Sequence, residues 1–220
     1  MGLKEQFDKL NPYGHFKKED VFRPGAFNPG LFEVDMGKLK KLRPEIFQPI
    51  RFAMASNLDS KSYIQMQMND GDIQAAVVVS TDPLLVACRS EDLDAVILQC
   101  YPADLGKARG WELGTCLLIC CTYNGYGPLR KNKDIDPSPR ANPKFKSFGP
   151  ILADLYAADT AYLERKKSEI PPAMWQAAWE MGKAYMAAHP GMARNGLSLS
   201  FRDSEPIEKI HFNPKADLSV

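Results

Sequence analysis

The chain has 220 residues, of which 45% are hydrophobic and 25% are charged, and its formal net charge is +1. A chain of this length and balance buries about 70% of its unfolded surface, so it needs neither disulfides nor a structural metal to fold. The near-neutral charge argues against nucleic acid and acidic membranes as partners, and no apolar run approaches the length that spans a bilayer.

Residues 1–62 are predicted to be irregular and to wrap around the body of the protein. Short helices are expected at residues 3–10 and 36–42, each of which ends just before a proline-containing turn. Between them, residues 22–30 combine prolines and glycines with two phenylalanines, a composition that favours turns anchored by aromatic rings. The N-terminus shows no apolar signal segment, so we expect a cytoplasmic protein, the alternative being export by a route that leaves no N-terminal mark.

Residues 63–124 are predicted to form the sheet core as an antiparallel meander. The predicted strands cover residues 63–68, 73–80, 84–88, 95–101 and 111–123. The first of these runs alternates at period two, and polar or glycine-containing turns separate it from the others. The last run is apolar on both faces, which is typical of a central strand.

All five cysteines fall between Cys88 and Cys121, inside this most apolar stretch. Their odd number, the lack of C-x-x-C pairs and the three scattered histidines argue against a disulfide framework and against a metal site. We therefore expect buried, reduced thiols of an intracellular protein. If one thiol were catalytic, Cys88 and Cys121 would be the candidates, because they lie near strand ends.

Two groups of neighbouring carboxylates have the chemistry to bind a hard cation. One group is Asp70 with Asp72, and the other is Glu91, Asp92 and Asp94. Neither group fits the twelve-residue pattern of a calcium loop. Both occupy predicted hairpin connections, so the favoured interpretation is that they are solvated turn residues.

Residues 125–149 are predicted to be a basic loop, either a mobile flap or an ordered crossing of the surface. Residues 125–148 carry six lysines and arginines against two aspartates, whereas residues 63–124 carry a net charge of −5. A solvated surface loop would have this composition, but cationic and aromatic side chains together also suit an acidic partner surface or an anionic ligand. The predicted binding residues are Tyr126, Arg130, Lys131, Lys133, Arg140, Lys144 and Phe145.

Residues 150–190 are predicted to form a helix pair, and residues 196–213 a final hairpin. The second helix opens at two prolines and carries a stripe of tryptophans and methionines that includes Met174, Trp175 and Trp179. Core packing is the favoured interpretation of the stripe, and the lining of an apolar cleft is the other.

The sequence therefore predicts a single α+β domain, with a central antiparallel sheet of about five or six strands and the helix pair on one face. The chain contains no G-x-S-x-G elbow, P-loop or dinucleotide fingerprint, and we predict no catalytic residues, no cofactor and no metal. We expect a binding protein of the adaptor, inhibitor or immunity type that uses the basic loop. The alternative is a small-molecule enzyme or ligand carrier with an apolar pocket between sheet and helices. The sequence carries no signal for the oligomeric state.

Overall fold

The computed structural model describes residues 28–47, 56–124, 132–199 and 202–219. These residues form seven strands: β1 Asp72–Thr81, β2 Leu84–Ser90, β3 Ala95–Tyr101, β4 Cys116–Asn124, β5 Ser147–Leu152, β6 Met192–Asn195 and β7 Glu205–Pro206. They also form six α-helices: α1 Met36–Leu42, α2 Ser56–Asp70, α3 Ala103–Arg109, α4 Ala153–Tyr156, α5 Thr160–Glu169 and α6 Pro172–Ala188. Short 3-10 turns cover Pro44–Phe47 and Ile207–Lys209.

The strands form one mixed sheet in the order β5-β4-β1-β2-β3-β6-β7. Neighbouring strands are antiparallel except for β3 and β6, which run parallel. The predicted α+β class is confirmed, but the prediction of five or six antiparallel strands was wrong, because the sheet is larger and mixed. Strand β6 reaches β3 only after α6 has crossed β1, β2 and β3, and local sequence patterns do not reveal such a connection.

The sheet curls so that β5 approaches β3 and β6. In a flat sheet β5 and β3 would lie about 19 Å apart, which is four strand spacings of about 4.8 Å. Instead, Gln99 on β3 donates a hydrogen bond from Nε2 to the Pro150 carbonyl on β5 at 3.0 Å. Arg194 on β6 likewise donates from Nη1 to the Phe148 carbonyl on β5 at 2.7 Å. Side chains therefore close the sheet across its inner face.

Helix α1 and strands β1, β2 and β3 match the predicted elements. Strand β4 begins at Cys116 rather than at residue 111. The predicted helix at residues 3–10 and the turn-rich residues 22–27 lie outside the described residues.

Residues 63–68, predicted as a strand, belong to helix α2, and that prediction was wrong. The glutamines that create the alternation are bonded to backbone groups of other segments. Gln65 donates to the Phe32 carbonyl at 3.0 Å, and Gln67 donates to the Cys120 carbonyl at 2.8 Å. Gln67 is as buried as its apolar neighbours, so the period-two pattern did not mark an exposed face.

Residues 150–190 contain the end of β5 and three helices rather than a simple pair. The long helix α6 packs over β1, β2 and β3. At Gly182 it lies so close to β2 that an added Cβ would be 2.3 Å from the Ala87 Cβ. Trp175 and Trp179 are half-buried against the core, which confirms the packing interpretation of the stripe at these positions.

The predicted hairpin over residues 196–213 was wrong. The observed pair is β6 with β7, in which Met192 lies opposite Pro206. Residues 196–199 are turn and coil. The Asn195 side chain accepts a hydrogen bond from the Leu197 amide at 2.9 Å, and this local bond turns the chain away from the sheet.

Residues 132–146, which we call the strap, are the described part of the basic loop and form an ordered crossing. Arg194 donates two hydrogen bonds, at 2.7 and 2.8 Å, to the buried carboxylate of Asp134. At the other end of the strap, the Phe145 ring stacks on the Tyr123 ring with centroids 4.6 Å apart. The strap is thus fixed to the body near both of its ends.

Candidate functional site

An acidic cleft opens at one end of the sheet, beside the junction of α5 and α6. Its volume of about 640 Å³ is in the range of small-molecule sites. Its described lining residues are Asn28, Asp72, Ile73, Gln74, Glu91, Asp92, Glu169, Ile170, Pro171 and Met174. Four of these carry carboxylates, and none of the ten is cationic or aromatic.

Asp72 enters the cleft where the chain turns from α2 into β1. The turn needs glycine at position 71, because a Cβ on Gly71 would lie 2.4 Å from the Gln67 carbonyl oxygen. Asp72 is 2% exposed, and its Oδ1 accepts a hydrogen bond from the Asn28 amide at 3.3 Å. The Ile73 amide donates in return to the Asn28 carbonyl at 2.9 Å. One wall of the cleft is therefore a strand start paired with a second segment of chain.

Glu91 and Asp92 lie in the tight turn between β2 and β3. The Asp94 amide donates to the Glu91 carbonyl at 3.0 Å, and Asp94 has a left-handed φ of 42°, which aspartate tolerates better than most residues. The strap holds the turn from outside, since the Asn142 amide donates to the Asp92 carbonyl at 2.6 Å. A hydrogen bond from Ser138 lowers the pKa of Asp94. The acidic turn therefore has a defined position over the cleft.

Glu169 is the last residue of α5, and Ile170 and Pro171 connect it to α6. Two consecutive prolines, Pro171 and Pro172, favour a helix start because proline fits the first turn but not a helix interior. The Met174 amide donates to the Pro171 carbonyl at 2.9 Å. This junction gives the cleft one carboxylate and most of its apolar wall.

Carboxylates outnumber cations around the cleft. Arg89 Nη1 lies 3.7 Å from Glu91, and Lys166 Nζ lies 2.9 Å from Glu169. The side chains of Glu91 and Glu169 are 54% and 45% exposed, so water screens both pairs and each contributes at most about 1 kcal/mol. Each contact also engages only one oxygen of its carboxylate. Among the described lining residues, four carry carboxylates and none carries a positive charge.

Gln74 is the most deeply buried neutral polar side chain of the cleft. It is 6% exposed, and its Oε1 has no hydrogen-bond partner among the described residues. Buried polar atoms in folded proteins are nearly always hydrogen-bonded, because an unmet acceptor costs free energy. The carboxylate oxygens make a lining that accepts hydrogen bonds and attracts positive charge. In the described part of the chain, no three or more histidines, cysteines, aspartates or glutamates are grouped so as to hold a metal ion.

A second, much smaller recess lies where the ends of the sheet meet. Its volume is about 10 Å³, which is room for about one water molecule. Gln67, Gln99 and Arg194 line it, and each donates hydrogen bonds to carbonyl groups of β4 or β5. These side chains close the sheet, so the recess belongs to the structural framework.

The predicted basic site lies only partly within the described residues. Three of its residues lie outside them: Tyr126, Arg130 and Lys131. Lys133 and Lys144 are exposed on the strap. Arg140 Nε lies 3.1 Å from the Asp94 carboxylate, and Phe145 is only 9% exposed. The strap therefore presents lysines to solvent, while its phenylalanine belongs to the core.

No cysteine is among the described lining residues of the cleft, although Cys121 lies opposite Asp72 on the neighbouring strand. Cys88 and Cys121 are buried, and burial raises the pKa of both thiols. Cys116 is exposed, yet partial burial raises its pKa as well. Reactive thiols have a lowered pKa, so none of these three has the environment of a nucleophile. All five cysteines are free, as the sequence predicts, but the predicted burial was wrong for Cys116, which is exposed.

The fold brings together carboxylates that the sequence analysis treats as two unrelated turn groups. Asp72 comes from one group and Glu91 with Asp92 from the other, and all three line the same cleft. Glu169 was not identified as a site residue from the sequence, because a glutamate at the end of a charged helix does not indicate a binding site. Gln74 was not identified either, although a glutamine among the apolar residues of β1 indicates a polar group in a buried position.

Comparison of the chain with protein families, curated proteins and solved structures found no match. Among the described residues, no helix combines the length and the apolar character that crossing a membrane requires.

Proposed function

We propose that the protein binds an organic cation in the acidic cleft and acts as a binding protein or ligand carrier. The observation that carries this proposal is the lining, in which four of the ten described residues carry carboxylates around about 640 Å³ of space. The proposal retains the class expected from the sequence, a binding protein. The proposed binding site, however, is the acidic cleft and not the basic strap.

Electrostatics favours a cation at this place. Asp72 is almost fully buried, and a charge in a protein cleft interacts more strongly with a ligand than it would in open water. Arg89 and Lys166 neutralise part of the charge from the rim. Because the remaining attraction is partly screened by solvent, we expect ligand affinity to fall as ionic strength rises.

The packing of α6 bears on the alternative of an apolar pocket between sheet and helices. Gly182 touches the sheet at Ala87, and Trp175 and Trp179 pack against the core. Only Met174 of the stripe lines the cleft. The carrier part of that alternative fits the present proposal, with a polar cleft in place of an apolar one.

The test is a calorimetric titration of the protein with a linear aliphatic triamine and with its fully methylated, quaternary counterpart. We expect at least one of these cations to bind. The double variant Glu91→Gln/Glu169→Gln should bind it about tenfold more weakly, because two attractive charges are removed without a change of shape.

The matched control is Glu112→Gln/Glu208→Gln, which removes the same charge from exposed positions that do not line the cleft. It should leave the affinity within about twofold of the unchanged protein. If neither cation binds, or if both double variants weaken binding equally, the cleft is not the binding site.

An acidic protein surface or anionic ligand at the strap is the second candidate. It is favoured by the exposure of Lys133 and Lys144 and by the 82% exposed side chain of Arg140. A titration with a polyanionic peptide in the same buffers tests it.

A further inference from the structure

We infer that Ser138 on the strap is a phosphorylation site for a protein kinase that requires proline after the target serine. We infer also that the phosphate releases the middle of the strap from the turn between β2 and β3. The inference concerns the strap alone and does not depend on a ligand in the cleft. The local sequence, the backbone conformation and the contacts of the hydroxyl group support it.

The first observation is the chain around Ser138. It is the only serine or threonine of the sequence that is directly followed by proline, and Arg140 comes after that proline. Residues 136–138 belong to no helix, strand or turn, and Pro137, Pro139 and Arg140 are exposed around the half-buried Ser138. Because a residue before proline is held in extended backbone, the segment already has the extended form in which a kinase can bind a target serine.

The second observation is that Ser138 and Arg140 share one acceptor. Ser138 donates from Oγ to Asp94 Oδ2 at 2.7 Å, and Arg140 donates from Nε to the same oxygen at 3.1 Å. Asp94 is the last residue of the turn between β2 and β3. One carboxylate oxygen therefore holds the middle of the strap against this turn.

Phosphorylation would turn the contact between Ser138 and Asp94 into a repulsion. The hydroxyl donates to the carboxylate, whereas a phosphoserine carries a charge of about −1.5 to −2 at pH 7 and presents acceptor oxygens. The hydrogen bond from Ser138 lowers the pKa of Asp94, so this carboxylate is ionised at neutral pH and would repel the phosphate.

Arg140 is placed to bind the new anion. Its amide already donates to Ser138 Oγ at 3.2 Å, and its side chain is 82% exposed, so the guanidinium can turn away from Asp94 without leaving a buried position. A charge-assisted hydrogen bond to phosphate is a strong contact for arginine. The contacts of Ser138 and Arg140 with Asp94 would therefore be lost together.

The reaction consumes a nucleoside triphosphate as the phosphoryl donor. Ser138 Oγ forms a bond to the γ-phosphorus, the bond from that phosphorus to the bridging oxygen breaks, and the nucleoside diphosphate leaves with the electron pair. The hydroxyl proton passes to the catalytic aspartate of the kinase. Oγ must first leave Asp94, which requires only a local opening of a segment without regular structure.

The first experiment incubates the full chain with ATP and a proline-directed serine/threonine kinase and locates the phosphate by peptide mass spectrometry. We expect one phosphoryl group per chain, at Ser138. Pro139→Ala should lose most of the incorporation, because it keeps the hydroxyl and its acceptor but removes the recognised proline. The matched control Ser168→Ala removes an exposed serine that no proline follows and should leave incorporation unchanged. An unchanged protein without phosphate on Ser138, or equal incorporation into Pro139→Ala, would overturn the inference.

The second experiment measures hydrogen exchange of the Asn142 amide, which donates to the Asp92 carbonyl at 2.6 Å and so reports on the contact between strap and turn. We expect phosphorylation to speed this exchange about tenfold, and Ser138→Ala to speed it less, because alanine removes a hydrogen bond without adding repulsion. If phosphorylation leaves the exchange rate unchanged, or if Ser138→Ala raises it equally, the phosphate does not release the strap.

Discussion

Asp134 shows how a charged residue is kept in the interior of this protein. Arg194 holds both oxygens of its carboxylate, and Ser204 donates to Oδ2 from its amide and its hydroxyl, each at 2.8 Å. Burial alone would raise the pKa of Asp134, but these hydrogen bonds and the charge of Arg194 outweigh it and lower the pKa below its ordinary value. The ionised form is thus the one that the fold stabilises.

The variant Asp134→Asn is expected to lose about 3–5 kcal/mol of unfolding free energy near neutral pH, because it leaves the Arg194 charge buried without a counterion. Since the pKa of Asp134 is lowered by folding, its contribution is present above the unfolded pKa of about 3.9 and disappears as pH falls through the folded pKa. The difference in unfolding free energy between Asp134→Asn and the unchanged protein should therefore shrink below about pH 4.

Urea unfolding of Asp134→Asn and of the unchanged protein, measured from pH 7 down to pH 3, checks this pH dependence. Ser204→Ala is the milder variant, with an expected loss of about 1–2 kcal/mol, and it serves if Asp134→Asn does not fold. A difference in unfolding free energy that stays constant with pH would mean that folding does not lower the pKa of Asp134.

At the scale of elements, the contact between α6 and the sheet depends on small residues. Gly182 in the middle of α6 lowers the helix propensity, a cost of about 1 kcal/mol relative to alanine. The fold keeps glycine there because Ala87 on β2 occupies the space that a Cβ would need, and Val79 lies 3.1 Å from the same point. Close packing of helix on sheet therefore outweighs the local preference of the helix.

Gly182→Ala is expected to destabilise the protein by about 1–3 kcal/mol in urea unfolding, because overpacking outweighs the gain in helix propensity. Ala87→Gly in the same chain removes the opposing methyl group. The double variant should therefore lose less stability than the sum of the two single variants. A single Gly182→Ala variant that is as stable as the unchanged protein would show that α6 does not contact β2 at this position.

At the scale of the whole molecule, the curl of the sheet decides which side chains meet solvent. It places four of the five cysteines in the interior and leaves Cys116, the first residue of β4, exposed. The same assembly pairs segments of opposite charge, since Arg140 on the basic strap contacts Asp94 of the acidic sheet region. The uneven charge along the chain is therefore partly balanced within the fold.

One fast-reacting thiol is expected in the native protein. Burial raises the pKa of Cys100 to about 11 and that of the other interior thiols as well, so both access and thiolate fraction are low. Maleimide labelling followed by mass spectrometry should add one label to the folded protein, at Cys116, and five labels in denaturant. The variant Cys116→Ser should take up none while folded, and rapid labelling of a second cysteine would contradict the closed sheet.

Features that depend on neighbouring residues can be predicted from the sequence of this protein. The strands β1, β2 and β3, the helix α1 and the reduced state of the cysteines follow from local apolar runs and the turns between them, because these patterns act within a few residues. The α+β class followed from the order of those elements.

Features that join distant segments depend on the folded chain and could not be predicted from local patterns. The residues 63–68 became helical because distant backbone carbonyls accept hydrogen bonds from their glutamines, and no local period records such partners. The cleft brings Asp72 to Glu91 and Glu169, residues that lie far apart along the chain. The unmet acceptor of Gln74 exists only once the chain is packed, because burial and the lack of a donor are properties of the surroundings and not of the residue.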